Sequence, residues 1–93
     1  MSKERDNILI TSATRTAVGS IGRSLKNIPA EVMGSEVIKD SIKKSKIKNL
    51  DVNEIIMGQV LTGAAGQNPA RQAAIKCGIP KETPAFIVNQ VCG

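Results

Sequence analysis

Three short apolar segments of the chain have the pattern of strands that are buried on both faces. They cover residues 8–13, 55–61 and 85–91, and each is rich in isoleucine, leucine or valine. A strand inside a parallel sheet is covered on both sides, so its apolar residues need not alternate with polar ones. The pattern therefore predicts three strands of a parallel sheet.

Two helices are predicted between these strands. The first begins near Pro29, because a helix needs no N–H in its first turn. Its apolar stripe has helical spacing and comprises Ala30, Met33, Gly34, Val37, Ile38, Ser41 and Ile42. The second is capped by Asn68, has Pro69 at its first position and ends at Gly78. Its inner face carries the small side chains of Ala70, Ala73, Ala74 and Cys77.

The order strand–helix–strand–helix–strand indicates an α/β fold with crossover connections. We expect the sheet to be incomplete, because two helices cannot readily cover both faces of three buried strands. The chain also has only one aromatic residue, Phe86, to fill a core. Residues 1–93 are therefore expected to be a truncated portion of a larger domain.

The composition is typical of a cytoplasmic globular protein. No apolar run approaches the roughly 18–20 residues that cross a bilayer, and Glu4 and Asp6 are atypical of signal or transit peptides. The two cysteines, Cys77 and Cys92, have neither the spacing of a metal site nor the number of a disulfide scaffold. We expect no metal, no membrane partner and no disulfide between them in a reducing cytosol.

The net charge of +5 raises the alternative of a small nucleic-acid-binding module. Five lysines account for much of this charge, and they lie around the predicted end of the first helix, where cations complement the helix dipole: Lys39, Lys43, Lys44, Lys46 and Lys48. The chain also lacks the aromatic side chains on which single-strand binders stack bases. We expect a solvated basic face and no nucleic-acid partner.

Cys92 is the candidate catalytic residue. It follows the third predicted strand directly, and the carboxyl ends of strands are where α/β sheets form their sites. The N-terminus of a following helix would also favour a thiolate there. The residues alone leave a second interpretation open, a buried and inert cysteine, because free cysteines are among the most buried residues. Cys77 is expected to serve core packing.

Two further features have both a binding and a structural interpretation. The glycine-rich segment 62–67 precedes a helix and can be a phosphate cradle, but it matches neither the dinucleotide nor the Walker A spacing. We favour a tight connecting turn. Arg15 and Arg71 can bind an anion, but we favour a role in ordering loops, through carbonyl oxygens or a carboxylate.

Four segments, in the same order, resemble the thiolase family, the acetyl-CoA C-acetyltransferases and 3-ketoacyl-CoA thiolases. They are Arg-Thr-Ala-Val-Gly at 15–19, Gly-Gln-Val-Leu at 58–61, Gly-Gln-Asn-Pro-Ala-Arg-Gln-Ala at 66–73 and Val-Asn-Gln-Val-Cys-Gly at 88–93. The resemblance runs from Ile8 across the rest of the chain. The third segment is most similar to the acetoacetyl-CoA-forming branch.

The resemblance implies a catalytic role for Cys92. Its thiolate would attack the thioester carbonyl of an acyl-CoA, expel CoA and hold the acyl group. Acetyl-CoA, deprotonated at its methyl group, would then condense with that acyl group, and the reverse reaction would cleave a 3-ketoacyl-CoA. CoA thioesters would be substrates, so no cofactor is expected. The subunits would form a homodimer or homotetramer.

The resemblance also implies a larger fold of five layers, α-β-α-β-α, of which this chain is the amino-terminal β-α-β-α-β part. The activating histidine, a second catalytic cysteine and the CoA-binding residues would lie downstream, which accounts for the absence of histidine. The 93-residue piece alone is expected to be inactive.

Two alternatives within the superfamily stay open. A ketoacyl synthase has its nucleophilic cysteine much further along the chain, so the early position of Cys92 argues against it. A non-catalytic relative that binds lipid or acyl-CoA would keep the fold and lose the chemistry. The retention of Cys92 argues against this alternative as well.

Overall fold

The computed structural model describes residues 7–92, so Glu4, Asp6 and Gly93 lie outside the described residues. The described chain contains helix α1 (Ala30–Ser45), a 3₁₀ helix (Asn49–Asp51), strand β1 (Ile55–Gly58), helix α2 (Pro69–Lys76) and strand β2 (Ala85–Val88). The strands β1 and β2 are parallel and are joined through α2. The predicted α/β class is therefore confirmed.

Helix α1 begins and ends close to its predicted bounds. Pro29 directly precedes the first helical residue and has an extended ψ of 152°. At the other end, Lys46 adopts the left-handed conformation with φ 58°, and its N–H donates to carbonyl oxygens of the last turn. Gly34 and Ile38 of the predicted stripe are buried, together with Ser35, which the stripe did not include.

Helix α2 is the central element of the fold. Its start is as predicted: the Asn68 side chain accepts the N–H of Arg71, and Pro69 occupies the first position. It packs against α1 and against both strands. The residues that it buries almost completely are the predicted small ones, Ala70, Ala73 and Ala74.

The two helices approach each other closely at Gly34. A Cβ added to Gly34 would lie 3.3 Å from Ala73 Cβ and 3.2 Å from Met57 Cε. Both distances are shorter than the 3.5–4.0 Å or so at which carbon atoms attract best. The absence of a side chain at Gly34 therefore lets α1 come close both to α2, at Ala73, and to strand β1, at Met57.

The strands are paired in register from Ile55 opposite Ala85 to Gly58 opposite Val88. Each is four residues long, shorter than the predicted 55–61 and 85–91. The backbone N–H of Gln59 still donates to Val88 O at 3.1 Å. Beyond this bond the two segments are joined by a side-chain contact, from Asn89 Nδ2 to Val60 O, and no longer by backbone pairing. The strands therefore end there.

One face of the sheet is covered by the helices, and within residues 7–92 the other is open. Ile55 is buried and Ile87 is half-buried on the covered side. Phe86 and Val88 expose 41% and 46% of their surface on the open side. The burial alternates along each strand, as it does in a sheet with one covered face. The prediction that two helices could not cover both faces is confirmed for these residues.

The predicted strand at residues 8–13 is absent from the described structure, and that prediction is wrong. Ile8 and Ile10 are 97% and 91% exposed. The segment contacts α1 through its hydroxyl groups instead, for example where Ser12 Oγ donates to Ser41 O at 3.0 Å. An extended segment becomes a strand only when its backbone pairs with a neighbour, and the described residues provide no such pairing here.

The lysines around the end of α1 are all exposed, as predicted for a solvated face. Lys44 Nζ lies 2.9 Å from Asp40 Oδ2, one helical turn earlier, and Thr14 Oγ1 donates to the same oxygen at 2.9 Å. The hydrogen bond from Lys44, followed by that from Thr14, holds the pKa of Asp40 below its ordinary value of 3.8. Because the pair is solvent-exposed, it contributes little to stability.

Candidate active site

The two parallel strands end side by side, and a groove lies at their carboxyl ends. It has a volume of about 440 Å³ and is lined by residues 58–60, which include the last residue of β1, and by residues 88–91, which include the last residue of β2. In open α/β sheets this edge is where ligands bind. Cys92 follows the groove-lining residues immediately in the chain.

Cys92 is exposed, and its thiol is free. Three residues separate it from β2, so it does not follow the strand directly as predicted. Residues 91 and 92 form a turn, and the predicted helix after the strand does not begin within the described chain. Within residues 7–92 this exposure leaves the sulfur accessible to an electrophile, and both interpretations of Cys92 stay predictions.

The turn before Cys92 is held by the side chain of Asn89. Its Oδ1 accepts the N–H of Val91 at 3.1 Å, and its Nδ2 donates to Val60 O at 3.1 Å. Val91 has a φ of 50°, which a β-branched residue rarely adopts. Asn89 was not among the residues predicted for the site. The residue type was the one feature of the sequence that could have indicated this role, because asparagine side chains often form hydrogen bonds with the backbone two residues further on.

Cys77 differs from Cys92 in its surroundings. It is half-buried at the end of α2, where its Sγ donates to Ala74 O at 3.3 Å. Burial raises the pKa of the Cys77 thiol above its ordinary value of 9.0. The predicted role in core packing agrees with this environment.

These environments predict selective alkylation of the two cysteines. Iodoacetamide at pH 8 is expected to modify Cys92 well before Cys77, because the reactive species is the thiolate and burial disfavours it at Cys77. The Cys77 rate should keep rising with pH beyond the range in which the rate of an ordinary thiol levels off, because the pKa of Cys77 is raised. Peptide mapping by mass spectrometry after timed quenching measures both rates. Equal alkylation rates for the two cysteines would contradict the structure, in which Cys77 is half-buried and Cys92 is exposed.

The glycine-rich segment before α2 is held by hydrogen bonds from a side chain of that helix. Gln72 Nε2 donates to the carbonyl oxygens of Ala65 and Gln67, both at 2.8 Å. Gln72 therefore holds the loop on the first turns of α2. This role was not predicted, since a glutamine on a helix carries no strong local signal.

The start of α2 has few donors left for a phosphate. Asn68 Oδ1 already accepts the N–H of Arg71 at 3.1 Å, and Pro69 has no N–H. Asn68 Nδ2 also donates to Ala85 O at 2.9 Å, which ties the turn to β2. These contacts agree with a connecting turn and not with a phosphate cradle.

The two arginines contact loop carbonyls, which is the role that we favoured. Arg71 Nη1 donates to Thr83 O at 2.8 Å, and Arg71 Nη2 donates to Lys81 O. Arg71 thereby orders the loop that leads into β2. Arg15 Nη1 donates to Thr16 O at 3.1 Å on the surface.

Residues 7–92 contain no group of three His, Cys, Asp or Glu side chains placed to hold a metal ion. None of the helices in this range is long and apolar enough to cross a membrane.

Several known proteins match the sequence over nearly its whole length. The acetyl-CoA acetyltransferase of Cupriavidus necator is 54% identical over 87 residues, which are 94% of this chain and 22% of that protein. The cytosolic acetyl-CoA acetyltransferase of Mus musculus is 42% identical over 93 residues, which are 100% of this chain and 23% of that protein. The chain thus spans between a fifth and a quarter of the length of these relatives.

The fold and the family profile agree with the sequence matches. The crystal structure of Acat5 thiolase from Ascaris suum in complex with coenzyme A is similar with a TM-score of 0.77 and 37% identity, covering 78% of this chain and 19% of that one. The small parallel sheet with its two helices is accordingly a partial thiolase-like fold. The profile described as "Thiolase, N-terminal domain" matches residues 8–93. On this evidence, the chain belongs to the thiolase family.

Proposed function

We propose that residues 1–93 are the amino-terminal portion of a thiolase N-terminal domain and that Cys92 is the nucleophile of an acyl-CoA C-acyltransferase. The observation that carries the proposal is the exposed Cys92 thiol at the carboxyl edge of the sheet, in a chain of this family. Relatives named acetyl-CoA acetyltransferase support acetyl-CoA as the acyl donor. The activity belongs to a protein of the relatives' length that contains this chain, and the piece alone is inactive.

The proposed chemistry begins with acyl transfer. The Cys92 thiolate attacks the thioester carbonyl carbon of an acyl-CoA, the bond from that carbon to the CoA sulfur breaks, and CoA leaves as a thiolate that takes up a proton. The product is an acyl group on Cys92 Sγ. One thioester replaces another, so little free energy is lost and the step is reversible.

The second step forms or breaks a carbon–carbon bond. Acetyl-CoA, having lost a methyl proton to a base, attacks the acyl carbon on Cys92 and releases the Cys92 thiolate, which yields acetoacetyl-CoA when the acyl group is acetyl. In the reverse direction, a 3-ketoacyl-CoA is cleaved by CoA. Both substrates are CoA thioesters, and no separate cofactor takes part.

This chain supplies only part of the catalytic machinery. The backbone N–H of Cys92 is one donor to the oxyanion that forms during attack, and such donors contribute about 2.7–4 kcal/mol each to transition-state stability. The 93 residues contain no histidine, so the base that activates Cys92 comes from another part of the protein. We further propose a cytoplasmic homodimer or homotetramer, which the cytosolic mouse relative supports as to location.

The test is to incubate a protein of the relatives' length that contains this chain with acetyl-CoA. Intact-mass measurement should show one acetyl group per chain, and peptide mapping should place it on Cys92 and not on Cys77. One equivalent of free CoA should appear in step with acetylation. If the protein binds acetyl-CoA and releases it unchanged, with Cys92 unmodified, the non-catalytic acyl-CoA-binding relative is the better description.

A further inference from the structure

The side chain of Asn89 joins two loops at the carboxyl edge of the sheet. Its Nδ2 donates to Val60 O, in the loop after β1, and its Oδ1 accepts the N–H of Val91, in the turn after β2. Both bonds are 3.1 Å long. One residue thus connects the end of the neighbouring strand with the residue directly before Cys92.

The residue that Asn89 holds is in an unfavourable backbone conformation. Val91 has a φ of 50°, and its side chain is 72% exposed. A β-branched residue avoids positive φ, so such a conformation persists only where surrounding contacts enforce it. Among the described residues, the side-chain oxygen Oδ1 of Asn89 accepts the hydrogen bond of the Val91 N–H. The orientation of the next peptide unit, which carries the Cys92 N–H, follows from this conformation.

We propose that Asn89 is a positioning residue for Cys92: by fixing Val91 in its left-handed conformation, it aims the Cys92 N–H and sulfur at an acyl-CoA carbonyl. The inference rests on the proposed function of Cys92. Asn89 itself touches neither substrate nor reacting atoms in this role. Asn89 acts on the position of the Cys92 N–H and sulfur. The rate of acyl transfer falls steeply when an oxyanion donor or a nucleophile is displaced.

The test compares two reactions of the same sulfur in a protein of the relatives' length that contains this chain. Acetyl transfer from acetyl-CoA needs the oxyanion donor and an aligned carbonyl, whereas alkylation by iodoacetamide needs only an accessible thiolate. Asn89→Ala is expected to slow single-turnover acetylation of Cys92 by about 10- to 100-fold. The alkylation rate of Cys92 should stay close to that of the unmodified protein.

Asn49→Ala is the matched control. Asn49 Nδ2 donates to the carbonyl oxygens of Cys77 and Gly78, at 3.3 Å and 3.1 Å, and so also holds a turn through backbone contacts. It lies before β1 and against the end of α2, at the opposite end of the strands from Cys92. Its replacement should lower the unfolding temperature and leave the ratio of acetylation to alkylation unchanged. A fall in this ratio as large as that of Asn89→Ala would overturn the proposal.

A second variant tests the route through Val91. Glycine adopts positive φ without strain, so Val91→Gly should restore part of the acetylation rate when it is combined with Asn89→Ala. A purely structural role for Asn89 predicts no such rescue, and its absence would contradict the proposal.

The failure of each proposal has its own signature. If the unmodified protein is not acetylated on Cys92, the proposed function fails. If it is acetylated and Asn89→Ala is acetylated at the same rate, the role of Asn89 fails while that of Cys92 stands.

Discussion

Replacing Cys92 by serine is expected to abolish the acetyl-enzyme that forms from acetyl-CoA. Serine has nearly the same shape, but its hydroxyl is far harder to ionise than a thiol and is a poor leaving group in the second step. The rate of acetyl transfer should fall by about 10⁴-fold or more, the order of loss that follows removal of a covalent nucleophile. Intact-mass spectrometry and release of free CoA measure the effect, in a protein of the relatives' length that contains this chain.

The same substitution at the other cysteine is the control. Cys77 is half-buried at the end of α2, and its Sγ donates to Ala74 O. A serine hydroxyl can make that contact, so Cys77→Ser should retain acetylation. An acetyl group found on Cys92→Ser at the normal rate, or lost in Cys77→Ser without loss of folding, would reject Cys92 as the nucleophile.

The second large effect concerns stability and the packing of α2. Ala74 has no exposed surface, and α2 lies against α1 and both strands. Ala74→Leu adds three carbon atoms where neighbouring elements leave no room, so the free energy of unfolding should fall by about 1–3 kcal/mol. Chemical unfolding followed by circular dichroism measures this change.

Ile75→Leu provides the comparison for that substitution. Ile75 is the next residue of α2 and is 47% exposed. The same leucine placed there should change the free energy of unfolding by less than about 0.5 kcal/mol. If Ala74→Leu changed the free energy of unfolding as little as Ile75→Leu, the conclusion that α2 packs closely against its neighbours at Ala74 would be wrong.

The helices could be predicted well because their signals are local. Pro29 and Asn68 mark the starts of α1 and α2, and alanines at helical spacing mark the buried face of α2. These signals depend on residues at most a few positions apart. The bounds of both helices and the identity of the small residues in the core follow from them.

The strands could be predicted only in part. An apolar run shows that a segment can be a strand, but a strand also needs a backbone partner. Residues 55–58 and 85–88 have each other as partners. Residues 8–13 have an equally apolar sequence, and in the described structure their hydroxyl groups contact α1 while Ile8 and Ile10 remain exposed. Nothing in the sequence of residues 8–13 itself shows that this segment stays unpaired while the other two apolar segments pair as strands.

The sequence by itself determined the α/β class, both helices, the family resemblance and the choice of Cys92 as the candidate nucleophile. Only the tertiary structure decided that Cys92 is exposed, that the strands end at Gly58 and Val88, and that Asn89 joins Val60 to the turn before Cys92. The bond from Asn89 to Val60 joins residues 29 positions apart. A contact at that separation depends on how the intervening helix folds back onto the sheet, whereas helix starts and apolar periods are set by neighbours in the chain.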